Sequence, residues 1–214
     1  MAMRTSPPYR LAYVIFSMQR SGTSTLCGDM HRLGMNCMYE LFNWGENNAG
    51  YKWGRLVKFS AEKASRYPEQ YVDEVMRAYN VSPPMIGSTG GLPDARYLSG
   101  FKLFPNQAIG PRVAARLTST CIIYRRLNVS AQYLSLKRAT TFGKNCWGTS
   151  PHAKRYCKDS PPVTMGKDFS AFEKRYANWY REVEEACAGK VTLRWTMEAH
   201  LEQTRTVLKM ANVL

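Results

Sequence analysis

The chain has 214 residues, 44% of them hydrophobic and 12% aromatic, enough apolar material for one α/β domain with a real core and too much for a disordered chain. Lys and Arg number 30 against 16 Asp and Glu, a formal charge of +14, so anionic ligands come first among partners, beside a merely solvated basic surface. No apolar run approaches the ~20 residues of a membrane-spanning helix, and residues 1–10 hold no signal-peptide core, so a cytoplasmic setting is expected, with a trimmed luminal domain as the alternative.

Residues 11–17 form a short, β-rich apolar run, as expected of a strand buried on both faces of a parallel sheet. A polar, Gly-containing turn follows, then helical spacing over 23–33. Residues 35–39 predict a second short strand, and the Gly- and Asn-rich stretch 43–53 a loop. Residues 60–80 predict one helix capped by Ser60. Prolines and glycines break the chain over 83–93. A third strand is expected at 100–104, a helix at 106–117, a buried strand at 119–124 and a helix at 128–141. Residues 143–166 read as a polar, Pro-rich excursion. A helix at 169–188, a strand at 190–195 and a helix at 197–211 complete the pattern. Alternating strands and helices imply a parallel sheet flanked by helices, in three layers and one domain.

Six cysteines are present and no C-x-x-C pair, so a zinc site is not expected. Cys37 and Cys121 sit in apolar segments and read as reduced core thiols. Cys146 and Cys157 could pair in an oxidising compartment.

The turn after the first strand carries the chemistry. A buried strand, a tight turn and a helix N-terminus make an anion site, because free N–H groups and the helix dipole both favour negative charge. Here the turn runs Gln19-Arg20-Ser21-Gly22-Thr23-Ser24-Thr25. Gly22 permits close backbone approach, the hydroxyls add donors, and Arg20 adds a forked cation. It is not a Walker A loop: Ser17 stands at the first Gly position and Thr23 at the Lys position. A plain capped turn is the simpler reading of the loop alone.

Arg20-Ser21-Gly22-Thr23, with Leu26 closing the pattern, resembles the 5′-phosphosulfate loop of sulfotransferases that use 3′-phosphoadenosine 5′-phosphosulfate, most closely the bacterial and carbohydrate-type members. The segment from Cys121 to Lys137 resembles the family's 3′-phosphate segment, a strand ending in Arg followed by a helix carrying Ser135. Arg126 precedes Ser135 by one residue more than the family spacing and Arg125 by two more, so either can be the partner. Glu40 and Phe42 are similar to an E-x-F segment whose Glu faces the acceptor. Gly100-Phe-Lys-Leu-Phe-Pro105 resembles the third-strand segment; Lys102 falls on the family Lys, whereas Phe104 replaces a catalytic His. Residues 192–214 resemble the closing strand and helix.

The resemblance implies a P-loop-NTPase-like sulfotransferase fold. It implies transfer of a sulfuryl group to an acceptor hydroxyl on a carbohydrate, lipid or small molecule, leaving adenosine 3′,5′-bisphosphate. Arg20, Ser21, Gly22, Thr23, Ser24 and Thr25 would hold the 5′-phosphosulfate. Arg126 and Ser135 would hold the 3′-phosphate. Lys102 would neutralise sulfuryl oxygens, and Glu40 would take the acceptor proton. No metal, nucleic acid or membrane span is expected. The acceptor would be set by residues 43–53, 82–96 and 143–166. Lys137, Arg138, Lys144, Lys154, Arg155 and Lys158 suit an anionic acceptor or a solvated face. His152 lies in the last of these segments; His31 and His200 read as structural, and Trp179 and Tyr180 as core. The rival readings are a small-molecule kinase with a degenerate loop, a nucleic-acid binder, and a non-catalytic nucleotide-binding relative.

Overall fold

The computed structural model describes residues 11–32, 35–46, 48–81, 99–142 and 161–200. Five parallel strands lie in the order β2-β3-β1-β4-β5. They are β1 (Leu11–Phe16), β2 (Asn36–Cys37), β3 (Ser99–Leu103), β4 (Thr118–Arg125) and β5 (Val191–Thr196). β1 is central, with Ile15 in register with Lys102 of β3 on one side and Ile122 of β4 on the other. That position explains its near-continuous apolar sequence, since both faces and both edges are covered. The chain leaves β1 for the outer strand β2, returns to β3, then crosses to β4 on the far side. In such open sheets ligands bind at the carboxyl ends of strands where connections part.

Two apolar layers flank the sheet. On one face α1 (Thr23–Arg32) buries Leu26 and Met30 against Tyr13, Ile15, Ile122 and Tyr124. On the other lie α2 (Ala49–Val57), α3 (Ala61–Arg66), α4 (Pro68–Val81), α5 (Pro111–Arg116), α6 (Val129–Phe142) and α7 (Phe169–Ala186). There Phe16, Phe101, Leu103 and Ile123 meet Tyr71, Phe172, Trp179 and Tyr180. The expected α/β, three-layer parallel architecture is therefore present. Trp179 and Tyr180 are core residues.

Several local expectations are corrected. Residues 49–57 are helix, not loop. The glycines that suggested a loop are there for closeness: a Cβ on Gly54 would collide with the Trp44 ring, and one on Gly50 would stand 2.6 Å from the Asn43 carbonyl. The single helix expected over 60–80 is two. Ser60 caps the first, accepting from the Lys63 N–H at 3.1 Å. Tyr67 then leaves the helical region because Pro68 follows it, and Pro68 starts α4. Over 106–117 only Pro111–Arg116 is helical; Asn106 has φ 66 and Gly110 is extended. Residues 143–160 and most of the expected last helix lie outside the described residues, as do Cys146, Cys157 and His152.

The thiols are also corrected. Cys27 of α1 is bonded to Cys37 of β2, and Cys121 of β4 to Cys187 after α7. Both pairs are buried. Spacing could not reveal them, because each joins residues that only the fold brings together. Disulfides belong mainly to oxidising compartments, so these weigh against the cytoplasmic expectation. Among the described residues no helix is long and apolar enough to cross a membrane.

Candidate functional site

The loop between β1 and α1 is held in an unusual shape. Arg20 has φ 66 and Gly22 φ 88, both left-handed. Only Gly takes this region freely; at Gly22 a side chain would also meet Met197, whose Cγ lies 3.2 Å from the Cβ position. The hydroxyl of Ser17 donates to the Tyr124 carbonyl at 2.8 Å and accepts from Ser21 at 2.5 Å. Ser21 thus braces the loop from inside and is fully buried. The Gly22 carbonyl accepts from the N–H groups of Thr25 and Leu26, which closes the first turn of α1. Among the described residues nothing accepts from the N–H groups of Gly22, Thr23 or Ser24, the ordinary condition of a helix start. The Ser24 and Thr25 side chains are exposed above it, while Thr23 is buried.

Two flanks close on this turn. On the β4 flank, the Arg20 Nε donates to the Ser135 hydroxyl at 3.1 Å, and Arg126 Nη1 reaches the Arg20 carbonyl at 3.5 Å. Neither guanidinium is in an ion pair among the described residues. Burial, and then the charge of Arg126, push the Arg20 guanidinium below its ordinary value; it stays charged. Arg125 points elsewhere. It pairs with Glu184 at 2.9 Å and stacks over Tyr180, with 4.5 Å from its guanidinium carbon to the ring centre. Geometry therefore puts Arg126, not Arg125, beside the loop.

On the β3 flank, Lys102 is 3% exposed, its ammonium 3.2 Å from Glu40 Oε1 and donating to the Ser24 hydroxyl at 3.2 Å. The second Glu40 oxygen accepts from Asn43 Nδ2 at 2.6 Å. Burial pushes Lys102 down, and Glu40 pushes it partly back up. The Tyr39 and Phe104 rings lie 5.3 and 5.2 Å from the ammonium. Phe104 itself is buried, so it walls the site. Lys102 is in register with Ile15, which packs on α1, and so faces the α1 side of the sheet. A cavity of about 460 Å³ lined by Met18, Gln19, Gln107, Leu136, Phe172 and Trp179 opens on the opposite side.

Sequence reasoning missed two residues. Gln132, one turn before Ser135 on α6, is fully buried, and its amide donates to the Gln19 carbonyl at 2.8 Å. A polar residue on the apolar face of a helix was the available signal. Tyr124 is buried on β4 with a hydroxyl that has no partner among the described residues, 3.6 Å from the Gly22 Cβ position. Burial raises its pKa, so it remains a donor. Its sequence context reads only as core. His31 Nε2 donates to the Cys37 carbonyl of β2 at 3.0 Å, and His200 contacts Asp29 at 3.1 Å.

The chain matches no protein-family model, no curated protein and no solved structure.

Proposed function

We propose that this chain is a sulfotransferase that moves a sulfuryl group from 3′-phosphoadenosine 5′-phosphosulfate to an acceptor hydroxyl. The observation that carries the reading is the pair Arg20 and Arg126, two cations at one helix start, neither in an ion pair among the described residues. Two adjacent uncompensated guanidiniums are costly unless an anion joins them. The free N–H groups of Gly22 to Ser24 and the Tyr124 hydroxyl add donors of the right kind. Ser135, on the Arg20 Nε, and Arg126, on the Arg20 carbonyl, both adjoin Arg20, and the reading gives them the second anion position of a nucleotide bearing both 5′ and 3′ groups.

The donor supplies the sulfuryl group and a phosphate leaving group. The turn and Arg20 bind that phosphate and stabilise the charge that grows on it, an effect worth ~10²–10³ in rate per donor. Lys102, held over Ser24, neutralises the moving oxygens. Glu40 accepts the acceptor proton, a role worth ~10²–10⁴. Its second oxygen is oriented by Asn43, and a positioned carboxylate is what a base needs. The acceptor oxygen bonds to sulfur as the sulfur–phosphate oxygen bond breaks, and adenosine 3′,5′-bisphosphate leaves.

Thermal-shift titration tests this. Adenosine 3′,5′-bisphosphate is expected to raise the melting temperature at lower concentration than ATP. Tighter binding of ATP would assign the site to a kinase instead.

A further inference from the structure

The α2–α3 segment carries five cations within residues 52–66: Lys52, Arg55, Lys58, Lys63 and Arg66 are all exposed. None is in an ion pair among the described residues, and Glu62 is the one acidic residue in that stretch. Lys52, Arg55 and Leu56 share one face of α2, and Lys63, Arg66 and Tyr67 share one face at α3, by helical spacing. Both helices pack on α4, so these faces turn outward. Leu56 is 59% exposed and Tyr67 45%, so each basic face holds a large apolar side chain in water. Arg55 leans on Tyr51 and Arg66 on Tyr67, with guanidinium carbons 5.9 and 5.5 Å from the ring centres. The α2 N-terminus is tied to the candidate base, since the Gly50 N–H donates to the Glu40 carbonyl at 3.2 Å.

We propose that the outer faces of α2 and α3 dock the protein on a bilayer rich in anionic headgroups. A nucleic acid or an acidic polysaccharide would use the cations and gain nothing from Leu56. A bilayer uses both, drawing cations to its headgroups and taking Leu56 and Tyr67 into the interface. The shallow apolar contribution makes the binding reversible and dependent on salt. The surface is independent of the reaction assigned above, so either can fail alone.

Flotation of the full chain with vesicles tests this, comparing phosphatidylcholine alone with phosphatidylcholine containing phosphatidylserine. Binding is expected only to the anionic vesicles, weakening as salt rises. Near the surface each cation is worth about 1 kcal/mol, or roughly fivefold in partitioning, so Lys52→Ala with Arg55→Ala and Lys58→Ala should lower it on the order of 100-fold. Leu56→Ser should lower it severalfold at unchanged charge. All four positions are exposed, and an unchanged melting temperature confirms that the variants are folded. Equal binding to neutral vesicles, indifference to Leu56→Ser, or binding to duplex DNA or heparin without binding to vesicles would each overturn the proposal.

Discussion

On the β4 flank of the turn, Arg20 and Arg126 stand together with no ion pair among the described residues; on the β3 flank, Lys102 is buried against Glu40 and tied to Ser24. Among the described residues the first flank has no ion-pair partner, and on the proposed reading a ligand anion supplies one. The second is already neutral and keeps its charges in reserve, one able to stabilise oxygens and the other able to take a proton. On the proposed reading, binding and chemistry divide across β1, and each flank can be broken separately.

The largest effect is expected on the first flank. Arg20→Ala should lower turnover by ~10³ or more while leaving the melting temperature within a few degrees, because no carboxylate among the described residues pairs with it; a variant of normal activity would sink the assignment. Lys102→Met comes next, with turnover falling by ~10². It also separates the flanks by pH. Lys102 has a folded pKa below its ordinary 10.5, so the unfolded chain holds more protons between the two values. Wild-type stability should rise with pH across that window, and activity should fall as the ammonium deprotonates. The Met variant should lose both trends in pH-dependent melting and rate profiles. Arg126→Ala should weaken adenosine 3′,5′-bisphosphate by 10- to 100-fold in calorimetry, the loss of a charged hydrogen bond worth ~1.5–3 kcal/mol. Arg125→Ala should leave that affinity alone and cost less than ~1 kcal/mol of stability, since its pair with Glu184 is partly exposed. If the two arginine variants behave alike, the division of labour at β4 is wrong. The smallest effect is at Gln132→Leu, about 1 kcal/mol or roughly fivefold in the same affinity, read beside an unchanged Arg125→Ala control.

Much of the strand-turn-helix core was legible because its signals are local. β1 and β4 announce themselves as apolar runs, and Ser60 acts as the expected cap; Asn128, at the expected start of α6, accepts from the Ala131 N–H at 2.8 Å. The turn was legible for the same reason. What escaped depends on closeness between distant parts. Gly50 and Gly54 look like loop formers until Asn43 and Trp44 are seen against them. The two disulfides join residues that no spacing rule links. Arg125 and Arg126 are adjacent in sequence, and only the position of Glu184 on α7 separates their roles. Gln132 is invisible until its amide is seen on the Gln19 carbonyl.

The backbone of Arg20 carries a further consequence. A non-glycine residue in the left-handed region costs ~1–2 kcal/mol, and Arg20 sits at φ 66. Glycine would relieve that load at once, so the fold on its own favours a residue the site cannot use. The arginine sits there against the backbone's preference, held by Ser135 and Arg126. Position 20 is thus a place where drift toward stability and retention of charge pull in opposite directions: Arg20→Gly should melt higher than the parent, while Arg20→Ala, which keeps the load, should not.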